Sequence, residues 1–198
     1  MALALGVGAG VVATAGVAAA KPSNSGSSSA GSGPNVSVST NGVQRVQKGS
    51  ATATSSGTGS VAIAHGAGSA ATAAGAHDKA RVNGTNSTAL AGDGTNNTAT
   101  VTGNNSVAFA EGGSNNTATV TGNNSFATAI VVGTNNTATV TGNNSTAQAE
   151  LGNNNTATVT GDNSQALAGN GNNDTATVTG NNLIATAVGG SNITATAP

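Results

Sequence analysis

The 198-residue chain has no cysteine, tryptophan or tyrosine, only two phenylalanines, and 6% charged residues. Without cysteine, a disulfide framework, a lipid-attachment thiol and a thiolate metal centre are all excluded. Without large aromatic side chains, a conventional globular core is excluded as well. The 36% apolar content is mostly alanine and valine, which fill only a narrow gap between two closely spaced backbones. The composition therefore predicts a thin, flattened structure.

Charge is scarce and unevenly placed along the chain. The formal net charge is −1, and every basic residue precedes residue 82, whereas every carboxylate except Asp78 follows it. The basic residues are Lys21, Arg45, Lys48, Lys79 and Arg81. Binding of nucleic acid needs clustered lysine or arginine and commonly aromatic stacking, and the threonine repeats from residue 98 onward contain no lysine or arginine. We therefore expect no nucleic-acid partner.

The first 49 residues differ in composition from the rest. Residues 1–20 are apolar and end in three alanines before Lys21, which is typical of a signal peptide. This segment therefore predicts a secreted protein, extracellular or on the cell surface. The mature chain is then expected to have no transmembrane segment. The basic n-region expected of a signal peptide is missing, so either the true start lies upstream or the signal is atypical. A membrane anchor is the competing interpretation, because 20 apolar residues can just span a bilayer. Residues 21–49 are rich in serine and glycine and predict a flexible linker.

Residues 50–198 form the predicted repeat domain. Thr-Ala-Thr-Val-Thr begins at positions 98, 117, 137, 156 and 175, and a shorter Thr-Ala-Thr-Ala begins at position 194. Units this small cannot fold alone, so the nearly constant period indicates stacked coils that bury a common core. Alternation along a strand directs alanine and valine inward and threonine outward. The candidate binding residues on this flat face are Thr98, Thr100, Thr102, Thr117, Thr119, Thr121, Thr137, Thr139, Thr141, Thr156, Thr158, Thr160, Thr175, Thr177 and Thr179.

A second pattern, Ser-x-Ala-x-Ala, appears from Ser50 onward, with units that begin at Ser60, Ser69 and Ser87, and it alternates with the threonine strands. Each coil is therefore predicted to hold two strands separated by Asn-rich and Gly-rich turns. The fold class is all-β: a flattened, two-sided parallel β-solenoid with coils of about 19 residues, an Ala/Val core and a threonine ladder on one face. Outward positions of the second strand vary and include Val107, Phe109, Phe126, Ile130 and Ile184. If these residues cluster, they form an apolar patch suited to homo-oligomerisation or partner docking; otherwise they are isolated exposed hydrophobic residues.

Both ends of the threonine face carry residues that interrupt it. Lys79 and Arg81 stand one repeat before Thr98 and Thr100, so we expect a basic rung beside the first threonine rung. Pro198 falls where a further threonine would stand, and proline cannot donate a hydrogen bond to another strand.

Two families resemble parts of the repeat. The run from Ser60 to Ser69 and the later Gly-Asn-Asn-Ser-x-Ala-x-Ala units resemble the head repeats of trimeric autotransporter adhesins, which form a β-roll on bacterial surfaces, although the present coil is longer. This resemblance implies a surface interaction module. The Thr-x-Thr-x-Thr ladders resemble the ice-binding face of β-solenoid antifreeze proteins. That resemblance implies that outward hydroxyl and methyl groups hold water in an ice-like arrangement.

The sequence thus predicts a secreted, non-enzymatic structural or adhesin-like module, with ice binding as the alternative. The threonine columns have two further interpretations: a ligand of sugar or protein, or stability alone, because threonine favours strands and threonine pairs. We expect no cofactor and no metal, because His65, His77 and Asp78 lack the spacing of a zinc site. No Ser-His-Asp arrangement or recurring carboxylate pair indicates catalysis.

Overall fold

The computed structural model describes residues 34–198, which form eighteen β-strands and no helix. The predicted signal peptide and residues 21–33 of the predicted linker lie outside this range. The strands are β1 (Val36–Thr40), β2 (Val43–Lys48), β3 (Thr52–Ser56), β4 (Val61–His65), β5 (Ala70–Ala76), β6 (Lys79–Asn83), β7 (Thr88–Thr95), β8 (Thr98–Thr102) and β9 (Val107–Ser114). They continue with β10 (Thr117–Thr121), β11 (Phe126–Thr134), β12 (Thr137–Thr141), β13 (Thr146–Glu150), β14 (Thr156–Thr160), β15 (Gln165–Gly169), β16 (Thr175–Thr179), β17 (Ile184–Val188) and β18 (Thr194–Ala197).

The strands belong to two sheets, and the chain alternates between them. Sheet A has ten strands in the order β2-β1-β4-β6-β8-β10-β12-β14-β16-β18, and sheet B has eight in the order β3-β5-β7-β9-β11-β13-β15-β17. From β3 and β4 onward, neighbouring strands within each sheet are parallel, so each coil adds one rung to each sheet. The predicted fold, a two-sided parallel β-solenoid, is confirmed.

The core between the sheets consists of alanine and valine, as predicted. Inward positions such as Ala99, Val101, Ala108 and Ala110 are fully buried, and the same pattern recurs in the later rungs. The largest buried apolar side chains are the valines of sheet A, which face sheet B across a gap that alanine fills. Alternation of small apolar and polar residues therefore produces both the strands and the thinness of the solenoid.

One coil of the solenoid is longer than the other threonine-bearing coils. The interval between equivalent threonines is constant except from Thr117 to Thr137, where it is longer by a single residue. Sheet B absorbs the extra residue as an irregularity between Ile130 and Gly133 of β11, after which register with β9 is restored. Register in sheet A is unaffected.

Buried polar ladders connect the coils at their corners. The asparagines at positions 97, 116, 136 and 155 are fully buried. The backbone N–H of Asn116 donates to Oδ1 of Asn97 (3.0 Å), and Nδ2 of Asn136 donates to the carbonyl of Gly152 in the next coil (2.8 Å). A serine ladder does the same at another corner, where the hydroxyl of Ser106 donates to the carbonyl of Gly122 (2.8 Å). Polar groups that would be buried without partners are thus satisfied by the adjacent coil.

The N-terminal end corrects the linker prediction. β1 and β2 form an antiparallel hairpin, and β1 also pairs with β4 in antiparallel orientation. The turn contains Asn41 (φ 50°) and Gly42 (φ 79°), the residue pair favoured by tight hairpins. Ser37 and Ser39 of β1 are buried. The prediction of a flexible linker was wrong for β1 and β2, because alternating valines and the Asn-Gly turn outweigh the surrounding serine-rich composition.

At the C-terminal end, the polar ladders finish in apolar side chains. Leu183 takes the position that follows Ser164 in the serine ladder, and Ile193 takes the position that follows Asp174. Both side chains are partly buried and pack against the core. Pairing of β18 with β16 stops at Ala197, immediately before Pro198.

Candidate functional site

All fifteen predicted threonines lie together on sheet A, and we call them the threonine grid. Strands β8, β10, β12, β14 and β16 pair in register, so Thr119 lies between Thr100 and Thr139, and the other columns are aligned in the same way. The grid therefore has five rungs and three columns. On β18, Thr194 and Thr196 continue two of the columns for one more rung.

The threonine grid is regular and open to solvent. Neighbouring rungs of a sheet are about 4.8 Å apart, and alternate residues of a strand are about 6.6 Å apart. The first and middle columns are half-buried by their neighbours, whereas the third column, for example Thr121, is exposed. Threonine hydroxyls that bond to protein groups lie elsewhere, as Thr85 Oγ1 does when it donates to Asn104 Oδ1 in a turn. The grid hydroxyls are thus oriented towards water or a ligand.

The basic rung lies where the sequence predicts it. Lys79 pairs with Thr98 and Arg81 pairs with Thr100, and both basic side chains are exposed. On the far side of this rung, Val61 and Ile63 of β4 face outward and are half-buried.

Strand β4 follows Ser60, and the sequence pattern predicted that the unit beginning at Ser60 lies in the second sheet, sheet B. That assignment was wrong because the Ser-x-Ala-x-Ala pattern occurs on both sheets in the first coils and does not distinguish them.

The outward face of sheet B carries an apolar cluster. The rings of Phe109 and Phe126 meet edge to face, with centroids 5.8 Å apart, and Val107 is the register neighbour of Phe126. Leu90 is the register neighbour of Phe109 and was missed, although it stands at the equivalent position of the preceding coil. Ile184, which is 67% exposed, lies three strands away from β11 and does not belong to the cluster.

Two glutamates border this cluster. Glu111 and Glu150 are the register neighbours of Ile130, one on each side. Burial raises the pKa of Glu111, and the carboxylate of Asp93 raises it further. Burial also raises the pKa of Glu150, while a hydrogen bond from Gln148 (3.3 Å) opposes this shift. Both carboxyl groups therefore bind a proton more readily than a solvated glutamate does.

Asp78 and Asp174 occupy the two ends of the buried asparagine ladder. Oδ1 of Asp78 accepts the backbone N–H of Asn97 (2.8 Å), whereas its Oδ2 is buried and has no partner. The atom of Asn97 that corresponds to Oδ2 of Asp78 is its amide nitrogen, Nδ2, which donates to the carbonyl of Gly92 (3.0 Å). Burial raises the pKa of Asp78, and the hydrogen bond from Asn97 is the main opposing effect. A protonated Asp78 can donate where the asparagine amides do. Oδ2 of Asp174 also lacks a partner.

The histidines do not come together with other ligating groups. His65 ends β4 and His77 lies in a turn with φ 61°, and both are exposed. Among residues 34–198, no group of three or more histidine, aspartate or glutamate side chains is arranged to hold a metal ion. The same residues contain no helix long and apolar enough to cross a membrane.

No protein-family model, curated protein or solved structure matches the chain. The architecture alone therefore defines its class: an all-β parallel solenoid of about eight turns, with 61% of residues 34–198 in strands. The resemblances to autotransporter adhesin heads and to antifreeze solenoids stay predictions.

Proposed function

We propose that the chain is a non-enzymatic, extracellular β-solenoid that acts as a structural and adhesin-like interaction module. One observation carries this proposal: the side chains that vary and the side chains that repeat lie on opposite flat faces of one thin body. Alanine and valine fill the space between the sheets, so the outward faces are the surfaces that a ligand can reach.

The apolar cluster of sheet B is the better candidate for a protein partner. Phe109 and Phe126 are half-buried and in contact, so they present a rigid aromatic surface at low entropic cost. The surrounding outward positions differ from rung to rung, which suits recognition of one partner. The threonine grid offers hydroxyl groups without charge, which suits hydrogen bonding to a repetitive ligand.

The test is binding of the purified chain to a glycan array and to surfaces coated with collagen or fibronectin. We expect Phe109→Ser/Phe126→Ser to abolish binding, because it removes the apolar cluster from sheet B. Thr139→Tyr is the matched control on sheet A and should bind as the unmodified chain does. A folded sample that binds none of these surfaces, or a double variant that binds normally, would contradict the proposal.

The alternative function is ice binding by the threonine grid. The specific observation in its favour is the in-register repetition of outward threonines at about 4.8 by 6.6 Å over five rungs. A rigid array of hydroxyl and methyl groups at fixed spacing can order water without charge. Thermal hysteresis and ice-crystal shaping test this function directly.

In that measurement, Thr139→Tyr should abolish activity with an unchanged circular dichroism spectrum, because the bulky ring interrupts the middle column. Thr186→Tyr, at an exposed outward position of sheet B, is the matched control and should stay active. Absence of hysteresis in a well-folded sample removes the ice-binding alternative and leaves the interaction module.

A further inference from the structure

A second surface lies at the N-terminal end of sheet A, beyond the threonine grid. Val38 pairs with Val46 on one side and with Ile63 on the other, so these side chains share the outward face with Val61. Val46 is 37% exposed. Arg45 donates to Thr40 Oγ1 (3.0 Å), which places its side chain on the same face. We define the amphipathic patch as Val38, Val46, Val61, Ile63, Arg45, Lys48, Lys79 and Arg81.

The charged residues of the strands are divided between the two sheets. The four basic residues within residues 34–198 all lie on β2 and β6 of sheet A. None of the sheet A strands contains aspartate or glutamate, whereas Asp93, Glu111 and Glu150 lie in strands of sheet B. The amphipathic patch is therefore a positive surface around an aliphatic centre, with the carboxylates of the strands on the opposite sheet.

We infer that the amphipathic patch docks on a membrane surface of anionic lipids. A flat face with aliphatic side chains in the middle and lysine or arginine around them matches the interface between headgroups and acyl chains. The basic groups neutralise lipid phosphates while the valines and the isoleucine enter the boundary region. Nucleic acid would gain from stacking on large aromatic side chains, and this face has no phenylalanine, tyrosine or tryptophan.

The place where the N-terminal segment joins the solenoid supports a membrane surface as the binding partner. Pro34 lies two residues before the start of β1, so the chain enters the solenoid beside the amphipathic patch. The apolar residues 1–20 are separated from Pro34 by residues 21–33, a segment that reaches at most about 45 Å when extended. If residues 1–20 remain in a membrane, this short connection holds the patch close to it and raises its effective concentration there. The inference does not depend on the threonine grid.

The test compares binding of the full chain to phosphatidylcholine vesicles with and without about one-third phosphatidylglycerol, by co-sedimentation at low and high salt. Any membrane contact of the apolar residues 1–20 would be common to both vesicle types, so the difference between the two vesicle types reports the basic residues. We expect tighter, salt-sensitive binding to the anionic vesicles. Lys79→Thr/Arg81→Thr should reduce the preference for anionic vesicles about thirtyfold, a factor of about five per basic residue. This variant extends the threonine rungs and should keep the fold.

A relocation variant is the matched control. Lys79→Thr/Arg81→Thr combined with Thr175→Lys/Thr177→Arg keeps the net charge but moves the basic pair five rungs along sheet A, from β6 to β16. It should not recover anionic binding, because the charges no longer border the aliphatic centre. Val61→Thr/Ile63→Thr should weaken binding while leaving the salt dependence unchanged.

Four results would overturn the inference. Equal binding of the unmodified chain to both vesicle types would show that anionic lipid is not recognised. Recovery of binding by the relocation variant would show that net charge alone acts. Unchanged binding of Val61→Thr/Ile63→Thr would show that the aliphatic centre does not dock. Preference for soluble dextran sulfate over the anionic vesicles would assign the patch to an anionic polymer.

Discussion

Sheets A and B are built from the same coils around the same core, yet their outer faces differ. Their inward positions are alike, with alanine or valine at every central rung. Along its middle outward column, sheet A has threonine in five successive rungs, whereas sheet B has Leu90, Phe109, Thr128, Gln148 and Leu167. Because sheet B folds with such varied residues, packing does not require threonine on sheet A. We therefore expect the uniform threonine face to serve a surface function.

The largest loss of stability is expected when an aromatic side chain, which the outer face of sheet B tolerates, replaces a buried alanine. Ala147→Phe puts an aromatic ring into a gap that alanine fills, and should cost at least about 3 kcal/mol or prevent folding. Thr146→Phe, one residue away and outward, repeats the aromatic residue of Phe126 in the neighbouring rung and should change stability by less than about 0.5 kcal/mol. Urea unfolding of both variants checks this. Similar losses would contradict the division into a strict core and a permissive face.

Breaking a buried ladder should have the next largest effect. Asn136→Ala removes the acceptor of the Asn155 backbone N–H and the donor to the Gly152 carbonyl, so about 2–4 kcal/mol should be lost. Asn181→Ala, at an exposed turn position, removes one acceptor that water can replace and should cost less than about 1 kcal/mol. Equal effects in chemical denaturation would show that the buried asparagines do not couple the coils more strongly than the exposed ones.

Replacing a buried acid with the ladder's usual amide should stabilise the solenoid. Asp78→Asn supplies a donor where Oδ2 has no partner, and should raise the unfolding free energy by about 1–3 kcal/mol at pH 7. In the unmodified chain, burial raises the pKa of Asp78 above its ordinary value of 3.8. Between the ordinary pKa of the unfolded chain and the raised pKa of the native state, the native state holds a proton that the unfolded state has released, so stability rises as the pH falls through this range.

Urea unfolding at pH 7 and pH 5 measures this dependence. Glu111 and Glu150 contribute in the same direction, because burial raises the pKa of both. Asp78→Asn should therefore reduce the pH dependence, and Glu111→Gln/Glu150→Gln should reduce the remainder. A variant Asp78→Asn with the same pH dependence as the unmodified chain would mean that this carboxyl group is ionised in the native state.

The smallest stability effect is expected on the threonine grid. Thr139→Val keeps a β-branched side chain at an outward position and removes a hydroxyl without a protein partner, so stability should change by less than about 0.5 kcal/mol. If the grid orders water, thermal hysteresis should nevertheless fall. A loss of stability with unchanged surface behaviour would instead support the interpretation that threonine serves stability alone.

Period and alternation in the sequence were sufficient to predict the two-sheet solenoid, the inward residues of the repeats and the whole threonine grid, but not the sheet to which β4 belongs. Other features depend on contacts that the sequence pattern does not reveal. Asn96 and Asn97 are adjacent and alike, but Asn96 has φ 57° and is exposed, whereas Asn97 is buried. The amphipathic patch was not predicted because it requires the antiparallel register of β1 with β2 and β4. A linker-like composition concealed that register.

The irregularity between Ile130 and Gly133 shows how length changes can be accommodated in this architecture. One coil is longer than its neighbours, yet the threonines of sheet A remain in register on both sides of it. Changes in length are thus absorbed on the sheet B side, where β11 approaches its turn. Loops of new sequence grafted at the turn after β11 should leave the threonine face of sheet A undisturbed. The two surfaces of the solenoid can therefore be changed independently.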